Sequence, residues 1–480
     1  MIPGAELEAA LRRLNGFEKL VGCERLSAGA SRETYRLNVV MNGVSRPLAL
    51  RRAAGGGPSA AGGGLAPGDE AKLFAAARAA GVPGPEVLLV LEPGDALGSG
   101  FVMEWIGGET LGGRIVRSAD LAAARARLAR QCGEMLARLH AIDVRATGLD
   151  GMLETFTPEA IVRRTHSAYL VLDTPQPMID FTAMWLLRNL PASRSLTLVH
   201  GDFRNGNLIV QPEAGLAAVL DWELAHIGDP MRDLGWLMTR SWRFGHNDRP
   251  VGGFGEAEEL FAGYEAVSGT TVDRRSVAFW EVFGSFWWSV GALSMGQSFR
   301  SGADRSVERP VIGRRSSECQ IDCVNMLIPG HPRRPHQPAD QLRDLPTAAE
   351  LLEGVREFLR IQAETGIEPR SQFLSRVSAN ALDIVMREMA LGPDAHAAET
   401  DALRALLHAT GDRSSLRDRL CRALRDGSMD LHRSDLHTYL RDSVYAAVLI
   451  DQPRYAGAED CSDPSGPPHA LSLGAASAPG

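Results

Sequence analysis

The sequence predicts an α+β chain: a small antiparallel β lobe first, a mainly helical lobe behind it, and a separate all-α region at the end. Three observations carry this. Short apolar runs over residues 20–52 are joined by Asn42-Gly43, a dipeptide that favours a tight hairpin turn. Residues 198–236 hold three further short apolar runs broken by charged turns, the pattern of buried strands. After a Pro-rich stretch from Pro329 to Pro338, only helical periodicity remains. The expected boundaries are 1–106 for the β lobe, 107–328 for the helical lobe, and 329–345 for the linker. An all-helical accessory domain over 346–455 and a disordered tail over 456–480, rich in Gly, Pro, Ser and Ala, complete the chain.

Residues 5–15 place Leu7, Leu11 and Leu14 on one helical stripe. Strands follow at 20–26 and 34–41, with a small-residue turn between them, and a third leads from Pro47 to Arg52. Residues 53–67 are Gly- and Ala-rich and read as a flexible connection. A helix over 70–80 turns Ala71, Phe74 and Ala75 inward and stops at Gly81. Residues 87–91 and 101–103 read as the last strands of the lobe, followed by a long helix over 118–141 that ends at a structural His140. A helical stretch over 158–190 delivers the chain to residues 198–236. Helices then follow at 255–268 and 275–299, the second rich in Phe and Trp and read chiefly as core. Arg300, Arg305, Arg309, Arg314 and Arg315 come next, either as a solvated surface or as a site for an anionic group. In the C-terminal region Thr347-x-x-Glu350 forms a capping box. Helices at 372–391, closed by Gly392-Pro393, and at 397–408, 414–426 and 434–450 complete it.

The chemistry concentrates in one constellation. His200-Gly201-Asp202 is followed five residues later by Asn207, and a strand pair then ends on Asp221-Trp222-Glu223. Transfer of a γ-phosphoryl group needs a carboxylate near the attacking hydroxyl, and an Asn with a second carboxylate to hold Mg2+ on the nucleotide phosphates. Asp202 stands at the base position of an H-x-D-x4-N loop, and Asp221 at the metal-binding position of a D-F-G-type element. In a β lobe of this kind the turn Ala28-Gly29-Ala30-Ser31 would cover the phosphates with backbone N–H groups. Leu48-Ala49-Leu50-Arg51 takes the place of V-A-I-K, with Ala49 and Arg51 on one strand face and Ala49 small enough to admit adenine. The only lysines are Lys19 and Lys72, so the phosphate cation is Arg51, or Arg52 if the register slips. Glu70 is the candidate partner of that Arg, and Met103-Glu104-Trp105-Ile106 has the character of a hinge at the adenine edge.

These residues resemble the aminoglycoside phosphotransferase family of small-molecule kinases, whose signature is H-G-D-x4-N followed by D-[WF]-[ED]. The resemblance covers about residues 17–325 and implies a two-lobed protein-kinase-like fold and ATP and Mg2+ as cofactors. Residues 26–37, the Leu-Arg-Arg strand and residues 284–327 look most similar to the branch fused to acyl-CoA dehydrogenases, in which Arg commonly replaces the strand lysine. That implies a small-molecule hydroxyl as acceptor, with the CoA thioester of a 4-hydroxy acid as a candidate and an acyl-CoA dehydrogenase of the same pathway as a candidate partner. The region after residue 346 resembles an uncharacterised helical domain that accompanies such kinases in bacteria. The roles implied are Asp202 as base, Asn207 and Asp221 as metal ligands, and Arg51, Glu70, Ala49, Ser31, Met103 and Trp105 around ATP. His200, Arg204 and Glu223 support them. Two alternatives stay open: an aminoglycoside-like or amino-alcohol acceptor, and a nucleotide-binding pseudokinase that recruits a partner.

Composition narrows the field. A net charge of −8 argues against a nucleic-acid binder, which needs a basic face. No apolar run reaches membrane-spanning length, and Met1 to Glu6 lacks a basic, apolar leader, so no membrane partner and a cytoplasmic location are expected. The six cysteines form no framework, and Cys319 and Cys323 read as core thiols rather than metal ligands.

Overall fold

The computed structural model describes residues 4–26, 32–53, 65–192, 195–335 and 348–458. The chain divides into two compact units, Met1–Thr157 with Ala192–Trp280, and Pro158–Pro191 with Glu281–Gly480.

The first unit opens with helix α1 (Gly4–Leu11), then strands β1 (Phe17–Arg25), β2 (Arg32–Met41) and β3 (Val44–Ala53). Asn42 and Gly43 both have positive φ, 51° and 74°, and close the β2–β3 hairpin as their types favour. Helix α2 (Pro67–Ala79) and strands β4 (Val87–Val90) and β5 (Gly100–Glu104) complete a five-stranded antiparallel sheet in the order β1-β2-β3-β5-β4. Leu7, Leu11 and Leu14 are buried against Leu37, Val39, Leu48, Leu50 and Val102, so the expected apolar stripe of α1 covers one sheet face. In α2 the buried positions include Ala71, Leu73, Phe74 and Ala77, whereas Ala75, expected inward, is exposed. The helix starts three residues earlier than its periodicity suggested, with Pro67 supplying a first turn that needs no N–H.

Helices α3 (Gly112–Arg117) and α4 (Ala122–His140) follow. The expected single helix over 158–190 is two, α5 (Pro158–Leu170) and α6 (Pro177–Arg188), both in the second unit. Asp173 at φ 48° and the prolines at 175 and 177 stop helical continuation between them. The chain returns to the first unit through β6 (Thr197–Val199), β7 (Leu208–Gln211), β8 (Gly215–Val219) and β9 (His226–Gly228). β7 and β8 form the expected hairpin, with Leu208 opposite Val219. β6 instead pairs with β9, so the first apolar run of the constellation belongs to a different ribbon. Helices α7 (Met231–Met238) and α8 (Ala257–Ser268) complete this unit, apart from the start of α9 (Arg274–Arg300).

The second unit also holds α10 (Glu308–Arg314), α11 (Ser316–Leu327), α12 (Ala348–Thr365), α13 (Pro369–Leu407), α14 (Arg413–Asp426) and α15 (Ser434–Asp451). α13 runs through Gly392-Pro393, where a stop was expected. A proline inside a helix costs about 3 kcal/mol. Ion pairs hold the helix on both sides of it: Arg356 and Arg360 of α12 bind Asp383, and Arg417 of α14 binds Glu399. Cys319 and Cys323 are buried, as expected of core thiols. Thr347 and much of the expected linker and tail lie outside the described residues. Among those residues no helix is long and apolar enough to cross a membrane.

Candidate active site

The H-G-D loop leaves β6 and is held by a buried carboxylate. Asp233 of α7 accepts hydrogen bonds from the backbone N–H groups of His200 (2.8 Å) and Gly201 (2.9 Å), one on each oxygen. His140 at the end of α4 donates Nε2–H to the same carboxylate at 3.2 Å and places Nδ1 3.0 Å from the Tyr264 hydroxyl, a structural histidine with both nitrogens satisfied. Burial alone would raise the Asp233 pKa; the bonds from His140 and the His200 backbone outweigh it and hold the carboxyl below its ordinary value. Gly201 sits at φ 80°, and a Cβ there would fall 2.4 Å from the Leu224 carbonyl oxygen. The turn therefore requires glycine.

His200 is fully buried and its tautomer is set by two contacts. Nδ1 accepts from the Asp202 N–H at 3.2 Å, so Nε2 carries the proton and donates to the Leu220 carbonyl at 3.1 Å. Burial depresses its pKa, although Asp233, Asp202 and Asp221 oppose that shift. An unfolded histidine titrates near 6.5. As pH falls below that value the unfolded chain binds a proton that the folded chain refuses, so stability drops. The melting temperature should fall between pH 7.5 and 5.5, and by less in His200→Gln, which keeps the donor to Leu220 without the titration; equal slopes by calorimetry would contradict this.

Asp202 is fixed by three donors. Trp236 Nε1 and Arg204 Nε both reach Oδ1 at 2.9 Å, and Asn207 Nδ2 reaches Oδ2 at 2.6 Å and the Asp202 carbonyl at 3.0 Å. The Arg204 guanidinium lies 4.2 Å from the centre of the Trp242 ring, a cation–π contact that keeps it over the loop. With its NH2 committed to Asp202, Asn207 offers its carbonyl oxygen to a hard cation. The Leu220 N–H donates to the Asn207 backbone oxygen at 2.8 Å, which brings Asp221 alongside. Asp221 adopts φ 66°, an unusual conformation for a residue with a Cβ that costs roughly 1–2 kcal/mol.

Arg51 on β3 meets Asp221 and Glu70 in one ion-paired group. Its Nε lies 3.0 Å from Glu70 on α2, Nη2 donates to Asp221, and Glu223 is 3.8 Å from that same nitrogen. Burial would lower the Arg51 pKa, but Glu70, Asp221 and Glu223 raise it above its ordinary value; burial lifts the Glu70 carboxyl despite Arg51. Arg52 turns instead to Glu33 and the Leu97 carbonyl, which settles the register in favour of Arg51. Glu109 accepts from the Thr110 and Leu111 N–H groups and takes no part in the Arg51 group. Glu223 also pairs with Arg32 at 3.3 Å, tying β2 to the segment after β8.

The sheet face beside Arg51 is apolar. Ala49 pairs with Met103 and Arg51 with Phe101, so all four share a face, and Ala49 and Met103 are buried. Phe101 packs edge-on against Phe74, which packs on Trp222 next to Asp221, at centroid distances of 5.8 and 6.1 Å. Trp105, past the end of β5, lies under the Arg36 guanidinium at 5.0 Å. Ser31 and the rest of the turn assigned to the phosphates lie outside the described residues.

Asp202, Asn207, Asp221, Arg51, Glu70, Glu223, His200 and Arg204 are thus one connected cluster within the first unit. Sequence reasoning did not single out Trp236 or Asn205, whose NH2 donates to the Gly252 carbonyl at 2.5 Å and anchors the loop from behind. The D-P-x-x-D-x-x-W run at 229–236 was visible, but nothing local to it reveals that Asp233 and Trp236 point back at residues 200–202. A cavity of about 310 Å³ lies elsewhere, wholly in the second unit. Its main charges are mutually paired, Arg314 with Glu388 and Asp451, and Arg413 and Arg417 with Glu399, so it lacks the arrangement described here. Those pairings, with Arg309 on Asp304 and Arg315 on Glu318, also account for most of the arginine run as structural.

Comparison with known proteins decides the family. The phosphotransferase enzyme family APH matches residues 22–269, more than half of the chain. The chain belongs to this family. A domain of unknown function, DUF6285, matches residues 365–455. Acyl-CoA dehydrogenase family member 10 of Mus musculus is 32% identical over 246 residues, 49% of this chain and 22% of that protein. Family member 11 of Gallus gallus is 37% identical over 169 residues, 33% of this chain and 21% of that protein. The chain thus spans about a fifth of the length of these relatives. A solved structure from Ralstonia eutropha, a protein that bears the name of the aminoglycoside phosphotransferases, superposes with a TM-score of 0.53. It is 24% identical and covers 67% of this chain and 96% of its own, which shows a shared kinase-like fold. The chain is therefore a member of a phosphotransferase enzyme family, with a five-stranded antiparallel lobe and a helical C-terminal region.

Proposed function

We propose that this phosphotransferase moves the γ-phosphoryl group of ATP to a hydroxyl of a small molecule, with a 4-hydroxyacyl-CoA as the acceptor. The observation that carries the reading is Asp202. A carboxylate held by Trp236, Arg204 and Asn207 can receive the acceptor's proton without changing position. The acceptor oxygen then bonds to the γ-phosphorus, the bond from that phosphorus to the β–γ bridging oxygen breaks, and ADP leaves with the electron pair. Asn207 and Asp221 supply one neutral and one anionic oxygen donor side by side, a set suited to Mg2+, which takes its remaining ligands from phosphates and water. When bound, that ion would neutralise charge on the transferring phosphates. Arg51, braced by Glu70, would turn from Asp221 to the α- and β-phosphates. The apolar face of Ala49 and Met103 offers a bed for adenine.

The acyl-CoA acceptor rests on the relatives' names and on the fusion of similar kinase regions to acyl-CoA dehydrogenases; such a dehydrogenase is the proposed partner, and the ATP-rich cytoplasm the proposed location. The test is ATP consumption by the purified chain with Mg2+ across 4-hydroxyacyl-CoAs, free hydroxy acids, amino alcohols and aminoglycosides. Stimulation by the CoA thioesters that disappears in Asp202→Asn is the expected result. Stimulation by the amines alone would replace the acceptor. A nucleotide-induced rise in melting temperature with no turnover on any compound would favour a partner-recruiting pseudokinase, a reading kept in view by Arg51 in place of lysine.

A further inference from the structure

The hairpin formed by α12 and α13 carries an apolar face that nothing described in its own chain covers. Leu351, Val355 and Phe358, at i, i+4 and i+7 of α12, are 60%, 53% and 60% exposed. Ile361 is half exposed one turn further on, and Ala363 is the only buried residue among the eighteen of this helix. On α13, Val385 and Met389 are 42% and 40% exposed. Arg356 binds Asp383 at 3.1 Å and approaches the Met386 sulfur at 3.8 Å, so the two helices run antiparallel with Leu351 level with the turn around Met389. Elsewhere in the same unit, α14 buries Leu416, Leu420, Cys421 and Leu424, the ordinary fate of such a stripe.

We propose that this face is the surface on which two copies of the chain associate, each hairpin supplying half of a four-helix bundle about a twofold axis. These exposed apolar residues amount to roughly 600 Å² per copy, the upper end of the largest apolar patch that a monomer ordinarily leaves open. Doubled across a twofold axis, that area reaches the lower limit of about 1,200 Å² for a specific interface. Two antiparallel helices whose shared face is apolar are complementary to a second such pair, with helices packing about 20° from antiparallel. An anionic membrane surface is a poor competitor, because α12 carries Glu350, Glu353, Glu357 and Glu364 against Arg356 and Arg360.

Sedimentation velocity of the full chain from nanomolar to tens of micromolar tests this. The wild type should be a dimer that dissociates on dilution. The double variant Val355→Glu/Phe358→Glu should weaken association by about 100-fold or more, since two buried apolar side chains become charged. Its far-UV circular dichroism and ATP consumption should match the wild type, as should its melting temperature at dilutions where the wild type is itself monomeric. Leu351→Glu/Met389→Glu provides a second probe of the same face should the first double variant melt early, and Val171→Glu, an exposed apolar site outside α12 and α13, should leave the dimer intact. A wild type that is monomeric throughout, a dimer indifferent to both double variants, or one lost equally in Val171→Glu would overturn the proposal; monomers that bind vesicles or another protein through this face belong to the first of these.

Discussion

Asp202→Ala should lower turnover by about 10²- to 10⁴-fold, the usual contribution of a positioned general base, while the melting temperature moves by no more than a few degrees. The carboxylate is the loop's only proton acceptor with three donors aimed at it, from Trp236, Arg204 and Asn207. Once it is removed, no other group at that place can take the proton from an attacking hydroxyl. The structural cost is small because the loop is anchored elsewhere, by Asp233 on the backbone of residues 200 and 201 and by Asn205 on Gly252. Arg204 keeps its stacking on Trp242, and water can enter the partly open space where the carboxylate was. Asp202→Glu separates charge from position: the charge returns but is displaced by a methylene, and misplacement of about 1 Å costs on the order of 100-fold. On the proposed reading nucleotide binding should survive in both variants, because Arg51 and Asp221 pair with one another and Asn207 keeps its bond to the backbone carbonyl of residue 202, so ATP should still raise their melting temperatures. A turnover number within tenfold of the wild type in Asp202→Ala would remove this residue from the chemistry.

Local signals and tertiary contacts divide what the sequence could reveal. Asn42-Gly43, the Leu7-Leu11-Leu14 stripe and the β7–β8 hairpin were legible because turn chemistry and periodicity act over a few residues. The proximity of Asn207 and Asp221 followed from that hairpin, whose strands they flank, whereas Asp202 leaves a strand that pairs with β9. The ambiguity between Arg51 and Arg52 needed a register, and pairing of Arg51 with Phe101 resolves it. By contrast, the brace from Asp233 and the donor from Trp236 act across more than thirty residues, and nothing near either one marks it as facing residues 200–202. Gly392-Pro393 is a strong local stop that long-range ion pairs override in α13. The exposed face of α12 had the periodicity of a core helix, and periodicity does not say which molecule will cover it.

Asp233→Ala should be the most damaging single change to stability in the first unit, at about 3–5 kcal/mol, with a fall in melting temperature on the order of 10 °C. The side chain is fully buried, and its loss strands the N–H groups of His200 and Gly201 and the Nε2–H of His140 where no solvent can reach them. Asp233→Asn should recover part of the loss, since its one carbonyl oxygen can serve one backbone donor while its NH2 opposes another. His140→Ala should be less costly alone, because it removes a donor rather than the shared acceptor. In combination with Asp233→Ala the two effects should fall short of additivity by at least about 1 kcal/mol, since both act on one contact. Turnover should fall with stability in Asp233→Ala even well below its melting point, because Gly201 precedes Asp202 and its N–H sets where that carboxylate starts. The acid limb of stability carries the same signature. A carboxyl held below its ordinary pKa contributes stability above about pH 4 that disappears as pH drops through its folded value, so the variant should lose less on acidification than the wild type. Thermal melts of the wild type and the four variants from pH 3 to 7 provide the check, and an Asp233→Ala variant that melts within 2 °C of wild type would show that the loop is held by something else.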